Sequence, residues 1–109
     1  MEKRVLCGAN SYEQKYYFNP EYDRLPQQIK EELQIMCVSF TEDVGGTLLV
    51  EFDEAGNLNL TFQVDDHDYL YDEIGSGIEI SRLQREKEEL FEQLELFNKI
   101  ISGADGRDN

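Results

Sequence analysis

Apolar and polar residues alternate most regularly in the middle of the chain. Over residues 47–52, Leu48, Val50 and Phe52 point one way while Leu49 and Glu51 point the other. After Asp53-Glu54-Ala55-Gly56-Asn57, a turn containing a glycine, Leu58, Leu60, Phe62 and Val64 alternate with Asn59, Thr61 and Gln63. A period of two means a strand with one packed face and one wet face. Two such strands across a tight turn predict a β-hairpin. A second hairpin is predicted over residues 3–8 and 13–18. Val5, Leu6 and Cys7, then Tyr16, Tyr17 and Phe18, fit a pleated surface, and Gly8-Ala9-Asn10-Ser11 between them has turn chemistry.

Elsewhere the period lengthens. Ile29, Leu33, Met36, Cys37 and Phe40 recur at the spacing of one helical stripe. Asn19-Pro20 ends the strand before it, Pro26 suits a first turn that needs no N–H, and Gly45-Gly46 closes the helix. Glu31 and Glu32 sit early, on the favourable side of the helix dipole. Ile35 and Val38 fall off the stripe. A second helix is predicted from Ser76 or Ile78 to Ile101. Ile80, Leu83, Leu90, Leu94, Phe97 and Ile101 are spaced three and four apart in it, with Lys87 the one polar member. That spacing fits a coiled-coil seam or a helix lying across a sheet. The flanking Gln84, Phe91, Gln93 and Asn98 are not the charged rails of a dimeric zipper, which favours the sheet.

The element order is therefore β-β-α-β-β-α. Burying every stripe at once predicts a two-layer α+β domain, a four-stranded, mainly antiparallel sheet with two helices packed on one face. Leu48, Val50, Phe52, Leu58, Leu60, Phe62 and Val64 are expected to be mostly buried, against Leu33, Phe40, Leu83, Leu90 and Leu94. Residues 1–101 form this single domain, and 102–109 read as a flexible polar tail. A chain of 109 residues has room for one modest core and no second domain.

Charge narrows the choice of partner. There are 24 acidic and 10 basic residues, a net charge of −14. No Lys or Arg lies between Lys30 and Arg82, while thirteen acids do. Such a surface argues against nucleic acid, whose phosphates need a basic face, and against an anionic membrane. No apolar run approaches the roughly 20 residues that span a bilayer. The apolar stretch from Val5 to Cys7 is too short for a signal-peptide core, so a cytoplasmic location is expected. The acidic middle reads either as solubility or as a surface for a basic protein partner.

Candidate chemistry is sparse. Cys7 and Cys37 lack a CxxC spacing, and one histidine is too few for a common zinc set. Both read as reduced, buried, small apolar residues, with a disulfide between them the lesser reading. The densest polar cluster runs from Asp65 through Asp66, His67 and Asp68 to Asp72 and Glu73. An EF-hand register fails there, because Leu70 or Tyr71 falls where glycine is required. Asp65, Asp68 and Asp72 remain as a loose cation site, against a solvated acidic loop. His67 has neither a nucleophile elbow nor a cysteine brought to it. Gly75-Ser76-Gly77 lacks the third glycine and the lysine of phosphate-binding loops, and reads as a hinge with Ser76 as helix cap. No cofactor and no enzymatic activity are expected.

Three phrases carry a resemblance. They are the run from Val5-Leu6-Cys7-Gly8-Ala9-Asn10 to Tyr17-Phe18-Asn19, then Lys30-Glu31-Glu32-Leu33-Gln34-Ile35-Met36-Cys37, and Tyr71-Asp72-Glu73-Ile74-Gly75-Ser76-Gly77. On these the chain resembles an uncharacterised bacterial family of small acidic single-domain proteins, a domain of unknown function. The resemblance covers nearly all of the chain except the tail and implies no ligand or active-site residue. At fold level alone, the order of elements is similar to the later half of small acidic dimeric chaperones of bacterial secretion systems, whose leading helix is absent here.

The expected function is a non-enzymatic protein-binding or chaperone-like module with an acidic surface. The alternative is a small metal-ion-binding protein or metal-dependent enzyme using the acidic loop. A homodimer is expected, because Ile35, Val38, Leu49, Leu96 and Ile100 are apolar residues outside the main stripes, and a contiguous patch of them would mark an interface.

Overall fold

The computed structural model describes residues 3–65 and 73–104. Four strands, β1 (Arg4–Asn10), β2 (Lys15–Phe18), β3 (Thr47–Phe52) and β4 (Leu58–Gln63), accompany three helices, α1 (Gln27–Val44), α2 (Glu73–Glu86) and α3 (Glu88–Ala104). A short 3-10 turn, Pro20–Tyr22, leads into α1. The strands form one antiparallel sheet in the order β2-β1-β3-β4, so β1 and β3 join the two hairpins. The fold is α+β, as the patterning predicts.

Register decides which face is packed. Cys7 pairs with both Phe18 and Val50, and Ala9 with Tyr16 and Leu48. Leu48, Val50 and Phe52 in turn pair with Phe62, Leu60 and Leu58. Paired residues share a face, and this one lies under α1, whose Leu33, Met36, Cys37 and Phe40 are buried. An irregularity in the β1–β3 register falls between Val5 and Cys7, and from Leu6 to Ala9 every residue of this interior strand is buried. The opposite face carries Tyr17, Leu49, Asn59 and Thr61. On it, Thr61 Oγ1 donates a 2.7 Å hydrogen bond to the Glu51 carboxylate.

The first hairpin turns later than its glycine indicates. Gly8 and Ala9 lie inside β1, and the turn occupies residues 11–14. Asn10 Oδ1 accepts the amides of Tyr12 and Glu13 at 2.9 and 3.2 Å, which fixes the turn there. Gly8 serves close approach instead, since a Cβ on it would stand 2.5 Å from Leu49 Cδ2. Leu58, Leu60, Phe62 and Val64 are half-buried rather than mostly buried. The reason is position: β4 is the sheet's edge. It is covered where Phe62 meets Phe40 edge-on, ring centroids 5.6 Å apart, and where Glu95 of α3 accepts the Leu58 amide at 2.7 Å.

The second helix is two helices. It starts at Glu73, so Gly75, Ser76 and Gly77 lie within α2 and the hinge-and-cap reading fails. It breaks at Lys87 and continues past Ile101 to Ala104. The backbone ladder survives the break: the Lys87 amide donates to Leu83 O at 3.0 Å, and that of Phe91 to Lys87 O at 2.9 Å. Lys87 reaches across to α1, its Nζ 3.1 Å from Glu32 Oε2. Phe91 and Asn98, read as flanks, are buried along with Leu90 and Leu94. Asn98 Oδ1 accepts the hydroxyl of the buried Tyr22 at 3.0 Å. Residues 105–109 of the expected tail lie outside the described residues.

Candidate functional site

Helix α1 packs on the sheet with one side, and α2 lies against another part of its surface. Between them runs a groove of about 620 Å³. Met36, Phe40 and Leu83 supply its apolar lining, and Ile35 stands beside them, 66 % exposed. Five acids and two bases line the rest: Glu31, Glu32, Asp43, Glu79 and Glu86, with Arg82 and Lys87. Both bases are already paired, Lys87 with Glu32 and Arg82 with Glu79 at 3.3 Å. Among the described residues Glu31 has no ion-pair partner and accepts from the neutral Gln27 amide at 3.3 Å. Among the described residues Asp43 and Glu86 have no ion-pair partner. The groove therefore joins an apolar strip to uncompensated negative charge.

A second depression, of about 800 Å³, lies on the other side of α1, where the β1–β2 hairpin meets it. Asn10, Ser11, Gln14, Gln34, Thr41 and Tyr16 make it largely polar. The Tyr16 hydroxyl is buried with no hydrogen-bond partner of good geometry, and burial pushes its pKa up. Close by are the two cysteines, fully buried and free, their sulfurs 3.9 Å apart. The hydrogen bond from Cys37 draws the Cys7 thiol down, against burial. The same bond, and then burial, push the Cys37 thiol up.

The sequence-predicted residues scatter. Ile35 lines the groove and the half-buried Val38 the polar depression. Leu49 lies on the far face of the sheet, while Leu96 and Ile100 are about equally exposed, 60 and 61 %, on the outer side of α3. These apolar residues therefore occupy several surfaces rather than one. Ile78 of α2, 57 % exposed, belongs with them; it precedes the apolar stripe that begins at Ile80. Of the cation candidates Asp65 alone is described; it is exposed, and its amide donates to the Tyr12 hydroxyl at 2.9 Å. Asp68, Asp72 and His67 lie outside the described residues. Among the described residues no cluster of three His, Cys, Asp or Glu side chains is placed to hold a metal, and no helix is long and apolar enough to cross a membrane.

Residues 3–105 match the model of a protein family described as a family of unknown function (DUF6145). No curated protein and no solved structure matches the chain.

Proposed function

The chain belongs to this family of unknown function (DUF6145), and from its geometry we propose a non-enzymatic, chaperone-like protein-binding module whose α1–α2 groove takes a basic amphipathic segment. The carrying observation is the groove itself. Its apolar lining would accept the hydrophobic side of a short helix, and Glu31, Asp43 and Glu86 would face basic residues on the segment's flanks. The proposed setting is the cytoplasm, supported by two free thiols in the core.

Calorimetry with a designed leucine–lysine amphipathic peptide tests the reading. Binding on the order of micromolar is expected, weakening as salt is raised, and absent for the same peptide with glutamate in place of lysine. Reversing two rim charges, Asp43→Lys with Glu86→Lys, should weaken it about tenfold or more. Equal binding of both peptides, or indifference to the reversal, overturns the groove as the site. Titration with calcium, magnesium and manganese gives the other arm: tight cation binding abolished by Asp68→Asn would move the function to the acidic loop.

For assembly we propose a homodimer through α3. Leu96 and Ile100 lie one turn apart and are both largely exposed. An antiparallel pairing of two copies centred on Leu96 sets the two Leu96 side chains together and brings Lys99 of each within a turn of Glu92 of the other, with Ile100 lying along the stem of that same Glu92.

A further inference from the structure

Two sulfurs sit in contact at the centre of this core, one on the sheet and one on the helix that covers it. Cys7 of β1 and Cys37 of α1 are 30 residues apart in sequence and 3.9 Å apart in space. A disulfide needs about 2.05 Å between sulfurs, so closure requires the thiols to rotate toward each other and α1 to approach the sheet. Burial is the obstacle, since neither thiol is exposed. The surroundings offer a way past it. Ala9, the next residue on Cys7's face, lines the polar depression, as do Gln34, Val38 and Thr41 around Cys37. Tyr16 stands among them, on β2, a four-residue strand at the edge of the sheet. Its hydroxyl is buried without a hydrogen-bond partner of good geometry, the weak Cys7 sulfur being the polar group nearest to serving as one. Swung out into the depression it would gain bonds to water, so that opening costs less than exposing an ordinary core residue.

We propose that Cys7 and Cys37 form a redox-active dithiol, gated by Tyr16, that closes to an intramolecular disulfide by exchange with a low-molecular-weight disulfide of the glutathione class. Cys7 is the attacking group. The hydrogen bond from Cys37 favours its thiolate, whereas the Cys37 proton is held. The Cys7 thiolate bonds to one sulfur of the small disulfide. The small S–S bond breaks, and one small thiolate leaves with the electron pair. Cys37 then loses its proton to that leaving thiolate and attacks the Cys7 sulfur, expelling the second small thiolate, which takes up the proton that Cys7 had released to water. The protein pair is oxidised and the small disulfide is reduced to two thiols. The product ties β1 to α1, and α1 is also a wall of the groove.

The test is to incubate the native protein with excess oxidised glutathione near neutral pH, alkylate the remaining thiols and read the intact mass over time. Both thiols should vanish together, with a mass loss of two hydrogens and no glutathione retained. Tyr16→Ala should speed the loss about tenfold by removing the gate. Cys37→Ser should stop at a mixed disulfide on Cys7, and Cys7→Ser should react at least about tenfold more slowly. Should a cysteine variant fail to fold, the wild-type chain decides alone: thiols that persist in the native protein and react only in urea overturn the proposal. Retained glutathione on the wild type, or no acceleration in Tyr16→Ala, overturns it as well.

Discussion

Asp53 shows how one side chain organises a turn. Its Oδ1 accepts the amides of Ala55 and Asn57, both at 2.9 Å, and its Oδ2 accepts from Asn59 Nδ2 at 3.1 Å. These bonds, that from Asn57 foremost, hold its carboxyl below the ordinary aspartate range. A carboxyl depressed in the folded state stabilises it above the unfolded pKa, and the contribution is lost as pH falls through the lower, folded value. Asp53→Ala should therefore lower the thermal midpoint at neutral pH and cost progressively less below about pH 4, which a pH series of thermal melts checks. The Tyr22–Asn98 bond is the buried counterpart. Tyr22→Phe leaves Asn98 Oδ1 without its donor in the core and should cost about 1–3 kcal/mol in urea unfolding. Adding Asn98→Leu should recover part of that loss, since an apolar pair leaves nothing unsatisfied.

Among the elements, glycines with opposite roles give opposite expectations. Gly46, between α1 and β3, has φ +74°, and a Cβ there would stand 2.6 Å from Gln63 O. Gly46→Ala should cost about 2 kcal/mol or more. Gly77 lies inside α2 with open space where a Cβ would project, so Gly77→Ala should add about 0.5–1 kcal/mol of stability. Chemical denaturation separates the two signs. These elements also show what a sequence makes legible. The β3–β4 hairpin and the α1 stripe could be read directly, because a single period governs each. The first turn could not, since Gly8 is required by Leu49 packing over it, a contact from another strand. The break at Lys87 carries no glycine or proline to announce it. Its visible anchor is Glu32 on α1, far away in sequence, so a lysine in an apolar stripe read as an exception when it was a tertiary contact.

At the scale of the whole molecule the groove was illegible for the same reason: α1 and α2 supply its two walls, and only the folded chain brings them together. The negative charge around it was readable; that its two bases are spent on internal pairs was not. Net charge also decides how the proposed dimer must behave. Two copies at −14 each repel, and the contact offered by α3 is a narrow ridge of Leu96 and Ile100. Repulsion between whole molecules acts over the screening length, about 10 Å at 0.1 M salt and about 30 Å at 0.01 M. The apolar contact is insensitive to salt in that range, whereas the short Lys99–Glu92 pairs are weakened only modestly by it. Association should therefore tighten as salt rises from about 0.01 to 0.15 M, opposite in sign to the basic peptide in the groove. Sedimentation equilibrium at tens of micromolar should show a dimer at the higher salt and a shift toward monomer at the lower. Leu96→Glu should give monomer at both while leaving peptide binding intact, since α3 does not line the groove. A single species of monomer mass for the wild type at the higher salt, unchanged by Leu96→Glu, would sink the α3 dimer.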